Sequence, residues 1–197
     1  MKKVIIFILL VSSSSFAQEE NTKTKFATFG LDLGVNRSNL AFGSDQDGSG
    51  TITNGLGYRL GIISNFRLSP KFSLSPKAEL SFNASRISQS TVEYKVNPVN
   101  LEGMLHVKYK LFKSKFTPYV IVGPNIRIPL STPNPDYIPV KNDIAIDAGI
   151  GLDIPLRNIK LSPELRYSFG LVSNVSSPTF GPLNYHNLSI VLAFSGK

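Results

Sequence analysis

The sequence predicts an all-β fold: an eight-stranded antiparallel up-and-down transmembrane β-barrel with short periplasmic turns and four longer outer loops. Three observations predict it. The first is Phe72–Ser85, FSLSPKAELSFNAS, where Phe72, Leu74, Pro76, Ala78, Leu80, Phe82 and Ala84 alternate with Ser73, Ser75, Lys77, Glu79, Ser81, Asn83 and Ser85. Successive strand side chains point to opposite faces, so one face here is apolar throughout and the other polar. The second is length. A tilted strand needs about 9–11 residues to cross a bilayer, against about five or six for an ordinary strand. The third is that the connections between such runs alternate between long and short, as they do in outer-membrane barrels.

Met1–Ala17 predicts a secretory leader, with Lys2 and Lys3 at its charged start, Val4–Val11 as its apolar run and Ser15-Phe16-Ala17 as a small-x-small cleavage site. The run is too short to span a bilayer as a helix, and no later stretch reaches 18 continuous apolar residues. The rest, residues 18–197, is expected to form a single barrel domain. Removing the leader lowers the formal charge from +8 to +6. No block of basic residues is interleaved with aromatics, so no nucleic-acid partner is expected. The chain has no Cys, which excludes disulfides, thiolate metal sites and a cysteine lipid anchor.

Gln18–Lys25 is a polar lead-in. The first strand follows at about Phe26–Asn36, with Ala27, Phe29, Leu31, Leu33 and Val35 on one face. Asn39–Gly55 then forms a long loop rich in Gly, Ser and Asp. Tyr58–Leu68 is the second strand, and Ser69-Pro70 turns tightly into the third, Phe72–Ser85. Pro76 removes a ladder donor within that strand, and a bulge is expected there. Arg86–Pro98 is the second long loop. Val99–Leu111 and Phe116–Leu130 are strands four and five, joined by the short basic turn Phe112–Lys115. Ser131–Asn142 is the third long loop. Asp143–Pro155 and Ile159–Leu171 are strands six and seven around the turn Leu156–Asn158. Val172–Leu183 is the last long loop, and Tyr185–Ser195 the last strand. Both termini then lie on the short-turn side, in the periplasm.

Periodicity does not say which face is inside, and a soluble lipocalin-like ligand-binding barrel would alternate in the same way. Strand length, the charges on the polar faces and the directional loop split favour the membrane barrel. The polar faces carry Asp32, Glu79, Glu102, Asp143, Asp147, Asp153 and Glu164, against Arg59, Arg67, Lys77, Lys108, Lys110, Arg127, Lys160 and Arg166. Eight strands enclose a space only just wide enough for side chains to fill, so these charges are expected to pair. Glu79, Glu102, Glu164, Lys77, Lys108, Arg127 and Arg166 form the expected lumen charge network. A narrow ion path is the alternative, though a near-neutral lumen supplies no selectivity ring.

Asp45-Gln46-Asp47-Gly48-Ser49 matches the first half of an EF-hand loop, so Asp45, Asp47 and Ser49 are weak metal-ligand candidates. Position 12 is Leu56 in place of the bidentate Glu. His106 is expected in mid-barrel, hydrogen-bonded among Glu102 and Lys108, and His186 on the lipid face near the outer interface. Neither G-x-S-x-G nor H-E-x-x-H occurs, so no catalytic residue and no cofactor are expected.

The order of several short runs resembles the PorT-like family of outer-membrane β-barrels from Bacteroidetes. They are Gly30-Leu31-Asp32-Leu33-Gly34-Val35-Asn36, Tyr58-Arg59-Leu60-Gly61, Pro118-Tyr119-Val120 leading to Gly123-Pro124, Asp147-Ala148-Gly149-Ile150-Gly151, and Glu164-Leu165-Arg166-Tyr167. The resemblance covers about the whole mature chain and implies an outer-membrane barrel. Its name comes from a member linked to protein secretion across the outer membrane. The expected role is non-enzymatic, structural or interaction-based, acting through the outer loops, with a small-solute channel as the alternative. Expected partners are outer-membrane lipid, the barrel-assembly machinery and a protein at the outer loops.

Overall fold

The structure, a computed structural model, describes residues 26–42, 51–53, 55–83, 86–89, 92–96, 99–112, 114–130, 137–138, 141–172 and 183–196. The leader and the candidate ligands Asp45, Asp47 and Ser49 lie outside the described residues. In chain order the strands are β1 (Ala27–Phe42), β2 (Thr51–Thr53), β3 (Leu56–Arg67), β4 (Phe72–Phe82), β5 (Arg86–Gln89) and β6 (Val92–Val96). They continue with β7 (Val99–Lys110), β8 (Thr117–Pro129), β9 (Tyr137–Ile138), β10 (Asp143–Pro155), β11 (Ile159–Gly170) and β12 (Leu183–Gly196).

Eight of these close into one antiparallel barrel in the order β1-β12-β11-β10-β8-β7-β4-β3. The registers show how far it is sheared. Stepping from partner to partner, Ala27 leads through Phe66, Leu74, Val107, Val122, Ala148, Tyr167 and Leu188 back to Arg37, ten residues further along β1. That stagger tilts eight strands by about 40°.

The exposed face is the apolar one. Ile62 is 62 % exposed and Ile190 60 %, whereas the fully buried side chains include Arg59, Arg127, Arg166, His106, Glu79 and Glu102. A soluble barrel buries the opposite face, so the lipocalin-like alternative fails on this observation. Aromatic pairs mark two levels on the outside. Phe72 packs on Tyr109 at 4.8 Å and Phe26 on Phe66 at 6.0 Å near the short turns. Tyr58 stacks on Phe82 at 4.5 Å near the other end. Phe72 and Phe82 are ten residues apart on β4, which at about 3.3 Å per residue and 40° of tilt is about 25 Å of height. That is about the height of the apolar band between the aromatic girdles of an outer-membrane barrel.

Three differences from the sequence expectation stand out. First, β1 runs on to Phe42, where Leu40-Ala41-Phe42 breaks the alternation yet pairs with Leu183–Tyr185 of β12. Second, the long connections are not plain loops: β2, β5, β6 and β9, from three of them, pair into a second sheet in that order. These segments of two to five residues are too short for periodicity to signal. Third, Pro76 makes no bulge. It pairs with Leu105, and on the β3 side the ladder breaks after Ile63–Lys77 and resumes at Phe66–Leu74 in unchanged register. Pro124 on β8 and Pro163 on β11 repeat this, each paired on one side and flanked by a two-residue gap on the other. The gap absorbs the missing N–H donor without an inserted residue.

Candidate functional site

The lumen concentrates the chain's polar chemistry because seven of the eight barrel strands turn charged residues inward, while β12 turns in the neutral Tyr185, Asn187 and Ser189. At the long-loop end the network is mostly neutral. Asn36 Nδ2 donates to Asn83 Oδ1 at 2.6 Å, and the Ser38 and Tyr185 hydroxyls meet at 2.7 Å. Arg127 Nη1 donates to Asp143 Oδ2 at 2.8 Å and to the Tyr185 carbonyl at 2.9 Å, with its guanidinium over the Tyr185 ring.

The middle layer is ionic. Arg59 contacts Glu79 at 2.9 Å through Nε and Glu102 at 2.8 Å through Nη2, and donates to Ser189 Oγ at 2.6 Å. Arg166 Nη2 reaches both Glu79 oxygens, at 2.9 and 2.6 Å. His106 Nε2 lies 3.0 Å from Asp147 Oδ2, and Ser168 Oγ donates to the other oxygen of the same carboxylate. Below this layer Lys77 Nζ meets Glu164 Oε1 at 2.7 Å, and the Tyr119 hydroxyl donates to Glu164 Oε2 at 3.1 Å. Lys108 binds Asp153 at 2.6 Å, with Lys160 at 3.7 Å from the same carboxylate. Such pairs hold only where remaining polar groups are also hydrogen-bonded, since an orphaned buried charge costs several kcal/mol.

All seven residues of the expected charge network are buried and each has an opposite charge in reach. Asp32 is buried too, with no cation at ion-pair distance among the described residues. His106 differs from expectation in its partner, which is Asp147 across β8 and not the Glu102 or Lys108 of its own strand. His186 does lie on the outer face, packed against Tyr167 and Phe169 at 6.0 and 4.8 Å. Sequence reasoning missed Tyr119 as a bridge. Its ring lies against Gly151, where an added Cβ would collide with it. The signal was present: an inward Tyr on β8 faces a strand bearing Gly149 and Gly151.

In barrel order β4 and β11 stand diametrically opposite, four strands apart in either direction. Lys77–Glu164 and Glu79–Arg166 both join these two strands, so they cross the full width of the lumen. Beside them a cavity of about 10 Å³ remains, lined in part by Lys77, Lys108, Tyr119 and Glu164. That is room for about one water molecule.

Residues 16–176 match the family model described as outer membrane protein beta-barrel domain. The chain belongs to that family. Comparison with curated proteins gives no match. Among solved structures, the Neisserial surface protein A is similar with a TM-score of 0.60 at 11% identity, over 88% of this chain and 97% of that one. The outer membrane protein OprG of Pseudomonas aeruginosa is similar with a TM-score of 0.53 at 11% identity, over 86% of this chain and 94% of that one. At such identities the likeness is one of fold. This outer-membrane barrel thus shares its architecture with these proteins, and its lumen must be read from its own residues.

Proposed function

We propose that this barrel is a non-enzymatic outer-membrane scaffold that works through its outer loops and passes no solute through its lumen. The observation that carries this reading is the pair of ion bridges between opposite strands, Lys77–Glu164 and Glu79–Arg166. Side chains spanning the whole width leave no continuous water column, and their disruption would strand buried charges. The loops, by contrast, contribute β2, β5, β6 and β9 to a common sheet, a built platform where a protein partner could dock by its backbone edges. The interior His106 does not suit hydrolysis. Its partner carboxylate, Asp147, also receives Ser168, so Ser and His share the acid and do not form a relay in which the His takes the Ser proton.

On this reading both termini and the short turns lie in the periplasm, lipid surrounds the apolar belt, and the barrel-assembly machinery is the partner in insertion. Within the family, the ordered runs from Gly30–Asn36 to Glu164–Tyr167 support a PorT-like member. The test is conductance. The purified barrel in a planar bilayer is expected to give no steady large current. Stable nanosiemens channels from the unmutated protein would refute the plugged lumen and install the small-solute channel in its place.

A further inference from the structure

The deep lumen and its short-turn mouth treat cations differently. Inside, Arg59, Lys77, Lys108, Arg127 and Arg166 each meet a carboxylate. At the mouth, Arg67 at the end of β3, Lys71 in the following turn and Lys110 at the end of β7 form no ion pair among the described residues. Asp153 is the acid that acts on Lys110 from nearby, and it is already held by Lys108 at 2.6 Å and Lys160 at 3.7 Å. Arg67 and Lys110 are close enough to repel one another. These three cations line one cavity of about 410 Å³, walled on its apolar side by Pro70 and Phe112. That volume lies within the range of small-ligand pockets, about 300–1,000 Å³, and well beyond what a lone ion needs.

We propose that this mouth pocket binds a phosphate group carried on an organic molecule, held by Arg67, Lys71 and Lys110. A guanidinium offers a planar fork that matches phosphate oxygens, and two flexible ammonium groups add charge from the sides. Pro70 and Phe112 give the organic substituent an apolar wall. The phosphate comes either from a soluble metabolite or from a phospholipid headgroup of the adjacent leaflet. Both present the same chemistry to the pocket.

The test uses the full mature barrel, folded in dodecyl maltoside, which carries no phosphate. The Lys71 and Phe112 amide resonances are followed while sodium phosphate is added, with sodium chloride at equal ionic strength as the control. Saturating shifts are expected with phosphate only. Arg67→Gln and Lys110→Gln should each weaken binding by about tenfold, as the loss of one charge-assisted contact implies. Both should retain the heat-modifiable gel mobility of the folded barrel, since neither residue holds a buried ion pair. Arg157→Gln, in a different short turn, should bind normally. Nanodiscs then separate the sources. If the group comes from lipid, phosphatidylglycerol discs alone give the bound-state resonances, and galactolipid discs do not. If it comes from a soluble molecule, the shifts appear in either disc only when phosphate is added. Non-saturating shifts matched by chloride, or unchanged affinity in both pocket variants, would overturn the proposal.

Discussion

Neutralising Glu164 should destabilise the barrel through Lys77, and a second change at Lys77 should recover much of the loss. The two charges are 2.7 Å apart with 1 % and 4 % of their side chains exposed. In an effective dielectric of about 20 that separation is worth about 6 kcal/mol of attraction. Desolvation of both ions offsets most of it, so a neutral pair of similar volume should be nearly as stable. Removing one partner is different, because the other is left charged and buried, at a cost of about 3–5 kcal/mol. Glu164→Gln keeps an acceptor for the Tyr119 hydroxyl. Arg166, 3.7 Å from Glu164, keeps its contacts with Glu79. The penalty therefore falls on Lys77. Glu164→Gln and Lys77→Met should each lower the unfolding free energy by about 3 kcal/mol, and the double variant by at least about 2 kcal/mol less than their sum. Urea unfolding in detergent, read by gel mobility and far-ultraviolet circular dichroism, measures this; the chain has no tryptophan to follow instead. Effects additive within about 0.5 kcal/mol would refute the coupling and with it the cross-lumen bridge.

Cysteines at Ser49, Ser90, Asn134 and Ser176 should react with an impermeant thiol reagent on intact cells, and one at Asn158 should not; the opposite pattern reverses the orientation. Ile150 is 59 % exposed on the apolar belt, so Ile150→Arg should cost about 2–4 kcal/mol and lower the yield of folded barrel in outer-membrane fractions. Gly103, with nothing within 4 Å of an added Cβ, should accept Ala with no loss in the same assay. Gly151→Ser looks harmless from its lumen-facing parity alone, but the Tyr119 ring occupies the space, so a loss of about 1–3 kcal/mol in the urea midpoint is expected.

Strand positions and faces were legible because period-2 alternation sustained over ten or more residues fits an extended strand and does not fit a helix of period 3.6. Asp143–Pro155 shows this best: its expected bounds are those of β10, and Asp143, Asp147 and Asp153 are all buried. Alternation alone is symmetric and does not say which face is inside; strand length, the charges on the polar faces and the long-short loop split assigned the polar face to the lumen, and Arg166 is indeed enclosed and Ile190 exposed. Partner identity was hidden, because it depends on shear. A stagger of ten residues brings Lys77 opposite Glu164, and another would offer Lys77 a different acid. The loop strands escaped notice because Thr51–Thr53 and Tyr137–Ile138 carry too few residues to show a period and are held by partners distant in sequence. The proline gaps were misjudged for a related reason. A rule drawn from open sheets sends proline to an edge, but a closed barrel has no edge, and Pro76, Pro124 and Pro163 instead sit outward beside interruptions of the ladder.

The arrangement of the bridges also bears on how the barrel closes. Four strand spacings separate β4 from β11 along the sheet, about 19 Å at about 4.8 Å each. In an open, flattened sheet Lys77 and Glu164 would therefore be too far apart to pair, as would Glu79 and Arg166. Arg127–Asp143 is different, because these residues are register partners on adjacent strands and meet as soon as β8 and β10 pair. The network thus has a local part that forms with the hairpins and a part that forms only when the sheet curls and β1 meets β12. Until that moment the second set is hydrated, and desolvation and pairing then occur together. KxE on β4 and ExR on β11 run in the same direction with opposite charge order, Lys77 meeting Glu164 and Glu79 meeting Arg166. A one-residue slip of either strand would turn these charges toward lipid. The paired motifs therefore select the closed register as well as filling the lumen, which gives a physical reason for so polar an interior in a barrel proposed to pass no solute.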